Sequence, residues 1–338
     1  MVHTMTITHS ILSKKIYDEI FENLNKLSKS KEGRFYPKGN EYITHAMKDK
    51  GFSRIALMKK KINSKYKYPY MQISITLNPA ILIGKNIEDI IEAFEIEDVQ
   101  REFDKEITPI HKDLPRLNNW IVNRIDYAVN IETKYVSEYI KLFQRSDKPY
   151  NFKEPYSLKS KRRKQMKGSF YLTSNSVNIN FYDKGNERKK AGVEGIDNLL
   201  RLEVQCKKNK VNSIKNSKKF DSCMVEHFLD PSLSQETIDY YFRKVIGNGH
   251  YLTLSEAIRT IKNSSYKRKT KDKCIDVLKQ INRQRSIWKA REKSKYDRGE
   301  FNRYLKLIIG LKVNPVTIPK AWEVEYLDTI MSIFQIYF

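Results

Sequence analysis

Apolar and polar positions alternate in several segments of the chain, and this period of two predicts β-strands. In each segment one face is apolar and the other is polar, which is typical of antiparallel strands that bury one face. The alternation is strict in the first segment, and Asn123 is the only break in the apolar face of the longest one. The predicted strands are Met71–Leu77, Trp120–Glu132, Gly168–Leu172, Val177–Lys184 and Leu199–Cys206.

A period of three to four residues predicts helices around and after these strands. Ser13 is positioned to cap the first helix, and Thr253 with Glu256 forms a T-x-x-E capping box for a later one. Between the last strand and the later helices, the lysine-rich run Lys207–Lys219 has no acidic residue and is interpreted as a solvated linker. The predicted helices are Lys14–Leu27, Ile87–Phe103, Val136–Phe143, Ser234 to about Gly247, one from Thr253, Ile275–Trp288 and Phe301–Ile308.

This order of elements predicts an α+β fold: an antiparallel β-sheet domain with flanking helices, followed by a smaller, helical and basic domain. We place the boundary near Lys218, where strands give way to helices. Residues 1–217 are then the strand-rich domain, and residues 218–338 are the helical, basic domain.

The charge balance narrows the choice of partner. Among 338 residues, 64 are Lys or Arg and 40 are Asp or Glu, which gives a net charge of +24. With 40% hydrophobic residues the chain has enough apolar side chains for a packed core, so the charge is not that of a disordered tail. A charge this large suits a polyanion such as nucleic acid.

Other features exclude several classes of protein. No stretch is apolar enough to span a membrane, and lysines follow the N-terminus too early for a signal peptide. The three cysteines have no metal-ligand spacing and fit buried thiols in a reducing cytoplasm. The sequence lacks a P-loop, and its six histidines are scattered, which argues against an ATP-driven motor and a histidine-liganded metal.

Three predicted strands each present a reactive side chain on the polar face, namely Asp126, Tyr182 and Glu203. If the strands share a sheet, these groups can converge. A tyrosine hydroxyl can attack a phosphodiester when a positive centre stabilises the phosphoryl charge, and carboxylates can hold a hard divalent cation. The alternative is that these polar faces are simply solvated.

Three blocks resemble the motifs of the rolling-circle replication initiators of the pT181 plasmid type: RIDYAVN at Arg124–Asn130, NINFYDKGNER at Asn178–Arg188 and LLRLEVQ at Leu199–Gln205. That family includes phage initiation factors and relaxases of some conjugative elements. The resemblance covers roughly residues 70 to 210. It implies a metal-dependent DNA nicking-closing enzyme with a 5′-phosphotyrosyl intermediate. Residues 1–217 would then be the catalytic, nicking domain, and residues 218–338 are expected to bind DNA.

By this resemblance Tyr182 is the nicking tyrosine, and Lys184 lies in the active-site neighbourhood. We expect Lys184 to be a second catalytic residue because its charge can act directly on the phosphoryl oxygens. Asp126 and Glu203 match the acidic positions that hold the cofactor, Mg²⁺ or Mn²⁺. Asn130 stands where family members usually have a second Asp, and its neutral carbonyl oxygen is a weaker ligand.

Several basic residues are candidates for contact with nucleic acid. A run immediately before the hairpin is expected to contact phosphate without reading bases, although a solvated loop has the same composition. Arginines of the helical domain suit either major-groove reading or a solvated helix face. The candidates near the site are Arg124, Arg162, Arg163, Lys164, Lys167, Arg188 and Arg201.

The leading hypothesis is therefore an initiator of rolling-circle replication that nicks and rejoins one strand at an origin. Its partner would be origin DNA, single-stranded or extruded as a hairpin, and a host helicase and a second copy of the chain are further candidate partners. No membrane partner is expected. A conjugative relaxase with the same chemistry is one alternative, and a non-catalytic DNA-binding protein of a mobile element is another.

Overall fold

The described residues of the computed structural model, 1–31, 33–60, 70–154, 168–193, 195, 197–330 and 332, form a nine-stranded sheet and a two-stranded one. The large sheet has the order β2-β3-β4-β5-β1-β6-β9-β8-β7, and β10 pairs with β11. The strands are β1 (Val2–Ile11), β2 (Phe35–Lys38), β3 (Glu41–Thr44), β4 (Phe52–Lys60), β5 (Tyr70–Leu77), β6 (Ile121–Glu132), β7 (Ser169–Thr173), β8 (Val177–Asp183), β9 (Leu199–Cys206), β10 (Tyr251–Leu252) and β11 (Tyr326–Leu327).

Helices flank the large sheet in sequence and dominate the chain after β9, so the fold class is α+β, as predicted. Strand pairs from β2 through β6 are antiparallel. The helices are α1 (Lys14–Ser30), α2 (Pro79–Leu82), α3 (Ile96–Ile107), α4 (Val136–Phe143), α5 (Lys184–Lys190), α6 (Lys208–Lys218), α7 (Val225–Phe228), α8 (Pro231–Val245), α9 (Leu254–Asn263), α10 (Arg268–Gln284), α11 (Ile287–Glu292) and α12 (Arg298–Gly310).

The chain forms two compact units that are each assembled from separate segments. The first contains residues 1–128, 175–178 and 203–237, and the second contains residues 129–174, 179–202 and 238–338. Strands β6, β8 and β9 have residues in both units. The boundary expected near Lys218 remains a prediction.

The core of the first unit lies between its strands and the helices α1 and α3. Alternation in β1 buries Met5 and Ile7, while Thr4 and Thr6 lie on the opposite, polar face. Helix α3 buries Phe103, whose ring stacks on Phe52 with centroids 5.5 Å apart. Long apolar side chains thus cover one face of the strands.

An aromatic cluster forms the core of the second unit. Phe181, which points away from the polar face of β8, lies with its ring centroid 5.1 Å from Phe143 and 5.7 Å from Phe242. Helix α10 buries the face that carries Cys274 and Leu278. These contacts hold the β7–β8 hairpin in place from its apolar side.

Most predicted elements are confirmed, and the errors have local causes. The first helix is capped by Ser13, and Thr253 caps α9 through Glu256 N–H. The prediction of a solvated linker at Lys207–Lys219 is wrong, because α6 occupies this segment and buries Val211 and Ile214.

Three helix boundaries were also misplaced. The helix expected from Ile87 starts at Ile96, after a 3₁₀ turn at Ala93–Glu95. Helix α8 begins at Pro231, so Ser234 is inside it. The helix expected across Ile275–Trp288 ends at Gln284, because Arg285 has a φ of +51° and Ser286 caps the next helix. No helix in the described part of the chain is long and apolar enough to cross a membrane.

Candidate active site

Two buried carboxylates lie together in the first unit. Asp126 on β6 is 1% exposed and Glu203 on β9 is 6% exposed. The amide nitrogen of Gln205 lies 3.3 Å from Asp126 Oδ2 and 3.5 Å from Glu203 Oε1, so these two oxygens are less than about 7 Å apart. The structure therefore brings together the two acidic residues expected to share a cation, and we call this pair with its neighbours the acidic cluster.

The guanidinium of Arg124 forms hydrogen bonds with both oxygens of the Asp126 carboxylate. Arg124 donates from Nη2 to Asp126 Oδ2 at 2.7 Å and from Nε to Oδ1 at 3.1 Å. Thr4, which faces Asp126 in the β1–β6 register, donates its hydroxyl to Oδ2 as well. Both carboxylate oxygens of Asp126 thus accept hydrogen bonds from the protein.

The pKa of Asp126 is raised above its ordinary value, mainly because burial disfavours the charged form. Arg124 opposes this shift by attraction, while the neighbouring Glu203 adds to it by repulsion. Repulsion between two buried carboxylates favours a cation near them.

His3 completes the acidic cluster from β1. Its Nδ1 lies 3.5 Å from Glu203 Oε2. A register shift between Val2 and Thr4 interrupts the β1–β6 ladder at this residue. Such a bulge changes the direction of a side chain, which accounts for two adjacent residues, His3 and Thr4, both reaching the cluster.

The donor set of the acidic cluster fits a divalent ion only in part. Asp126 and Glu203 supply two carboxylates, the number that a Mg²⁺ site rich in water uses. Within the described residues, no group of three or more His, Cys, Asp or Glu side chains is arranged to hold a metal. Asn130 Oδ1 accepts a hydrogen bond from Arg201 Nε at 2.7 Å.

Tyr182 lies on the polar face of β8 in the second unit and is partly exposed. The ring of Tyr171 on β7 stacks beside it at a centroid distance of 6.4 Å and an interplanar angle of 16°. Lys184 Nζ is 5.9 Å from the centroid of the Tyr182 ring. We call Tyr171, Tyr182 and Lys184 the tyrosine cluster.

The chain turns into a helix directly after Tyr182, and this turn positions Lys184. Asp183 caps α5 by accepting from the Asn186 N–H at 2.8 Å, which makes Lys184 the first helical residue. Its ammonium forms an ion pair with Glu187 at 3.0 Å. The strand-to-helix change thus places the ammonium beside the tyrosine ring.

Two cations are buried in this part of the second unit. Lys184 is 4% exposed and Arg201 is fully buried. The pKa of Lys184 is lowered, first by burial and then by the positive charge of Arg201. Arg201 Nε donates to the side-chain oxygen of Asn130, a neutral partner, at 2.7 Å.

Of the other basic residues predicted to contact nucleic acid, the structure describes some and not others. Arg188 is half-buried in α5. The run that contains Arg162, Arg163, Lys164 and Lys167 lies outside the described residues.

Four neighbours of the predicted site residues were not anticipated from the sequence: His3, Thr4, Tyr171 and Gln205. The positions of Thr4 and Gln205 could have been predicted from the sequence, because the alternation of β1 and β9 assigns each residue to a polar strand face. Nothing in the sequence indicates the bulge that turns His3 toward Glu203.

The sequence matches no known family model and no curated protein. A solved structure of a rolling circle replication initiator protein from Geobacillus stearothermophilus is similar to this chain, with a TM-score of 0.31 and 13% sequence identity. The match covers 95% of this chain and 98% of that chain. A likeness at this level assigns neither a fold nor a function to the chain.

Proposed function

We propose that the protein is a DNA strand transferase that starts rolling-circle replication by nicking one strand through Tyr182. The observation that carries this proposal is a partly exposed tyrosine ring with the buried ammonium of Lys184 beside it. A buried positive charge is what a phenolate nucleophile and a pentavalent phosphoryl group both require.

In this reaction the hydroxyl oxygen of Tyr182 attacks the phosphorus of a DNA phosphodiester. The new bond joins tyrosine oxygen to phosphorus, and the bond from phosphorus to the 3′ oxygen breaks. The phenol proton leaves to a base or water, and the departing 3′ oxygen takes up a proton. Because one phosphoester replaces another, a free 3′ hydroxyl can reverse the step and rejoin the strand without ATP.

Lys184 and Arg201 support the proposal by their charge. Both are buried, so their attraction for a phosphoryl oxygen is less screened than that of surface cations. The neutral side chain of Asn130 supports the proposed stabilisation of phosphoryl charge, because an aspartate at this position would offset part of the Arg201 charge.

We assign the acidic cluster to a single divalent ion, Mg²⁺ or Mn²⁺, held by Asp126 and Glu203. A bound ion of this kind would neutralise charge on the phosphoryl oxygens. Glu203 lies on β9, which neighbours β6, and strand alternation assigns Asp126 and Glu203 to polar strand faces. With two carboxylates and a neutral Asn130, weak binding is expected.

A non-catalytic DNA-binding protein is the second candidate, and the lack of a third acidic ligand among the described residues favours it. Burial of Asp126, Glu203, Lys184 and Arg201 argues against it, because charged groups that were merely solvated would be exposed. A conjugative relaxase would use the same residues and chemistry as the initiator.

The nucleophile is tested by Tyr182→Phe, with the full chain, Mn²⁺ and a single-stranded oligonucleotide library that carries a 3′ fluorophore. The wild type should retain the labelled 3′ fragment in a band that survives SDS. Tyr182→Phe should lose this adduct while still binding the library, because it lacks only the attacking oxygen.

Tyr171→Phe is the matched control, since it removes a hydroxyl from the neighbouring ring of the same hairpin. It should keep the adduct. An adduct of wild-type yield in Tyr182→Phe would assign the chemistry to another residue, and no adduct in any of the proteins would favour the non-catalytic candidate.

A further inference from the structure

Arg124 forms an ion pair with Asp126, one of the two proposed metal ligands. It lies two residues before Asp126 on β6, so the two side chains share a face of the strand. Its planar guanidinium contacts both carboxylate oxygens, at 2.7 Å and 3.1 Å. This two-point geometry is the strongest that an arginine makes with a carboxylate.

Thr4 fixes this arrangement. Its hydroxyl oxygen accepts from Arg124 Nη2 at 3.0 Å and its proton is donated to Asp126 Oδ2. Because Thr4 is held opposite Asp126 by the β1–β6 register, the three side chains form a closed ring of hydrogen bonds. The Arg124 side chain is 36% exposed while that of Asp126 is 2% exposed, so the arginine lies between the acid and solvent.

A divalent ion at the Asp126 carboxylate competes with this guanidinium. Mg²⁺ and Mn²⁺ need a carboxylate oxygen at roughly 2.0 to 2.2 Å, and both oxygens already accept from a positive group. Two cations at the same carboxylate would also repel each other strongly in a buried setting.

We propose that Arg124 is a built-in counter-cation that competes with the divalent ion for Asp126 and must move away before the ion binds. This inference rests on the metal site proposed for the acidic cluster. Its role is to neutralise a buried carboxylate in the absence of metal, at the cost of weak metal affinity.

The test measures binding of Mn²⁺ alone to the full chain, from the loss of the free-ion signal in electron paramagnetic resonance. Arg124→Met keeps most of the side-chain volume and removes the charge. It should bind Mn²⁺ about tenfold more tightly than the wild type or better, a size typical of changes around metal ligands. Arg124→Lys, whose single ammonium cannot cover both oxygens, should be intermediate and also serves if Arg124→Met does not fold.

Two further variants locate the effect. Asp126→Asn combined with Arg124→Met should abolish the gain, and Glu203→Gln should weaken binding in every background. If Arg124→Met and Arg124→Lys bind Mn²⁺ no more tightly than the wild type while Glu203→Gln weakens binding, the competition is refuted and the metal site stands. If none of these proteins binds Mn²⁺, both the competition and the metal site fail, whereas adduct formation by Tyr182 is judged by its own assay.

Discussion

At the scale of single residues, burial decides what each charged group can do. Lys184 illustrates this, because its ammonium is buried beside a second cation and is balanced only in part by Glu187. Each of these neighbours acts on the pKa of Lys184: burial and Arg201 lower it, and Glu187 raises it. The charge that the proposed reaction needs is therefore lost at a lower pH than in an exposed lysine.

The pH dependence of adduct formation should reveal this shift. Lys184 carries its charge only below its pKa, which lies under the ordinary value of 10.5, so the rate should fall as the pH rises through that lowered pKa. In Lys184→Arg the charge persists to high pH, and the fall should move upward. Adduct yield is measured in both proteins at a series of pH values.

Glu187→Gln is the matched variant, since it removes the partner that raises the Lys184 pKa. Its fall in rate should move to lower pH than in the wild type. Identical profiles in the wild type and both variants would mean that another group controls the alkaline limb.

At the scale of secondary-structure elements, α6 shows how composition misleads. A run with six lysines and no acid resembles a solvated linker, yet Val211 and Ile214 are three residues apart and form one apolar side of a helix. Helix α6 packs through these two buried side chains. It ends at Lys219, whose left-handed backbone has a φ of +59°. Lys208 and Lys218 of this helix are exposed, and Lys210 and Lys215 are half-buried.

Ile214→Ala should lower the free energy of unfolding by about 2 to 5 kcal/mol, because it removes a buried side chain and leaves a cavity. Ser213→Ala, at the neighbouring exposed position, should change it by less than about 0.5 kcal/mol. Urea denaturation followed by circular dichroism measures both. Equal effects at the two positions would mean that α6 does not pack against the rest of its unit.

At the scale of the whole molecule, the net charge of +24 predicts binding to DNA that weakens steeply with salt. Charge alone does not say where the DNA lies, because basic residues occur in both units. The contact can be located by removing the same amount of charge from two different segments and comparing the effect on DNA binding.

Replacement of Arg162, Arg163 and Lys164 by Ala should flatten the plot of log affinity against log salt, with little change in sequence preference. Fluorescence anisotropy with a labelled 20-base-pair duplex at several salt concentrations measures the slope. Lys14, Lys15 and Lys26, all exposed on α1, are the matched control, since their replacement removes the same total charge. Equal slopes for the two triple variants would mean that residues 162–164 are not the contact.

The strand predictions succeeded where alternation was strong, as in β5, β6 and the β7–β8 hairpin, because a half-buried strand imposes its period on the sequence directly. The same pattern assigns Asp126, Tyr182 and Glu203 each to the polar face of its own strand, and their roles stay predictions. Helix starts were less accurate, as at Ile96 and Pro231, because the apolar period continues through turns such as Ala93–Glu95 and does not mark where a helix begins.

The periodicity of the main strands, the polar strand faces that carry the candidate residues and the basic character of the chain can all be predicted from the amino-acid sequence, because each is a property of neighbouring residues. The pairing of β1 with β6, which brings His3 and Thr4 to the acidic cluster, is visible only in the three-dimensional fold. The contact of Arg124 with Asp126 is different, because the two residues are two positions apart on β6 and local alternation already places them on one face. Contacts between residues more than a hundred positions apart depend on strand order and register, which local pattern does not encode.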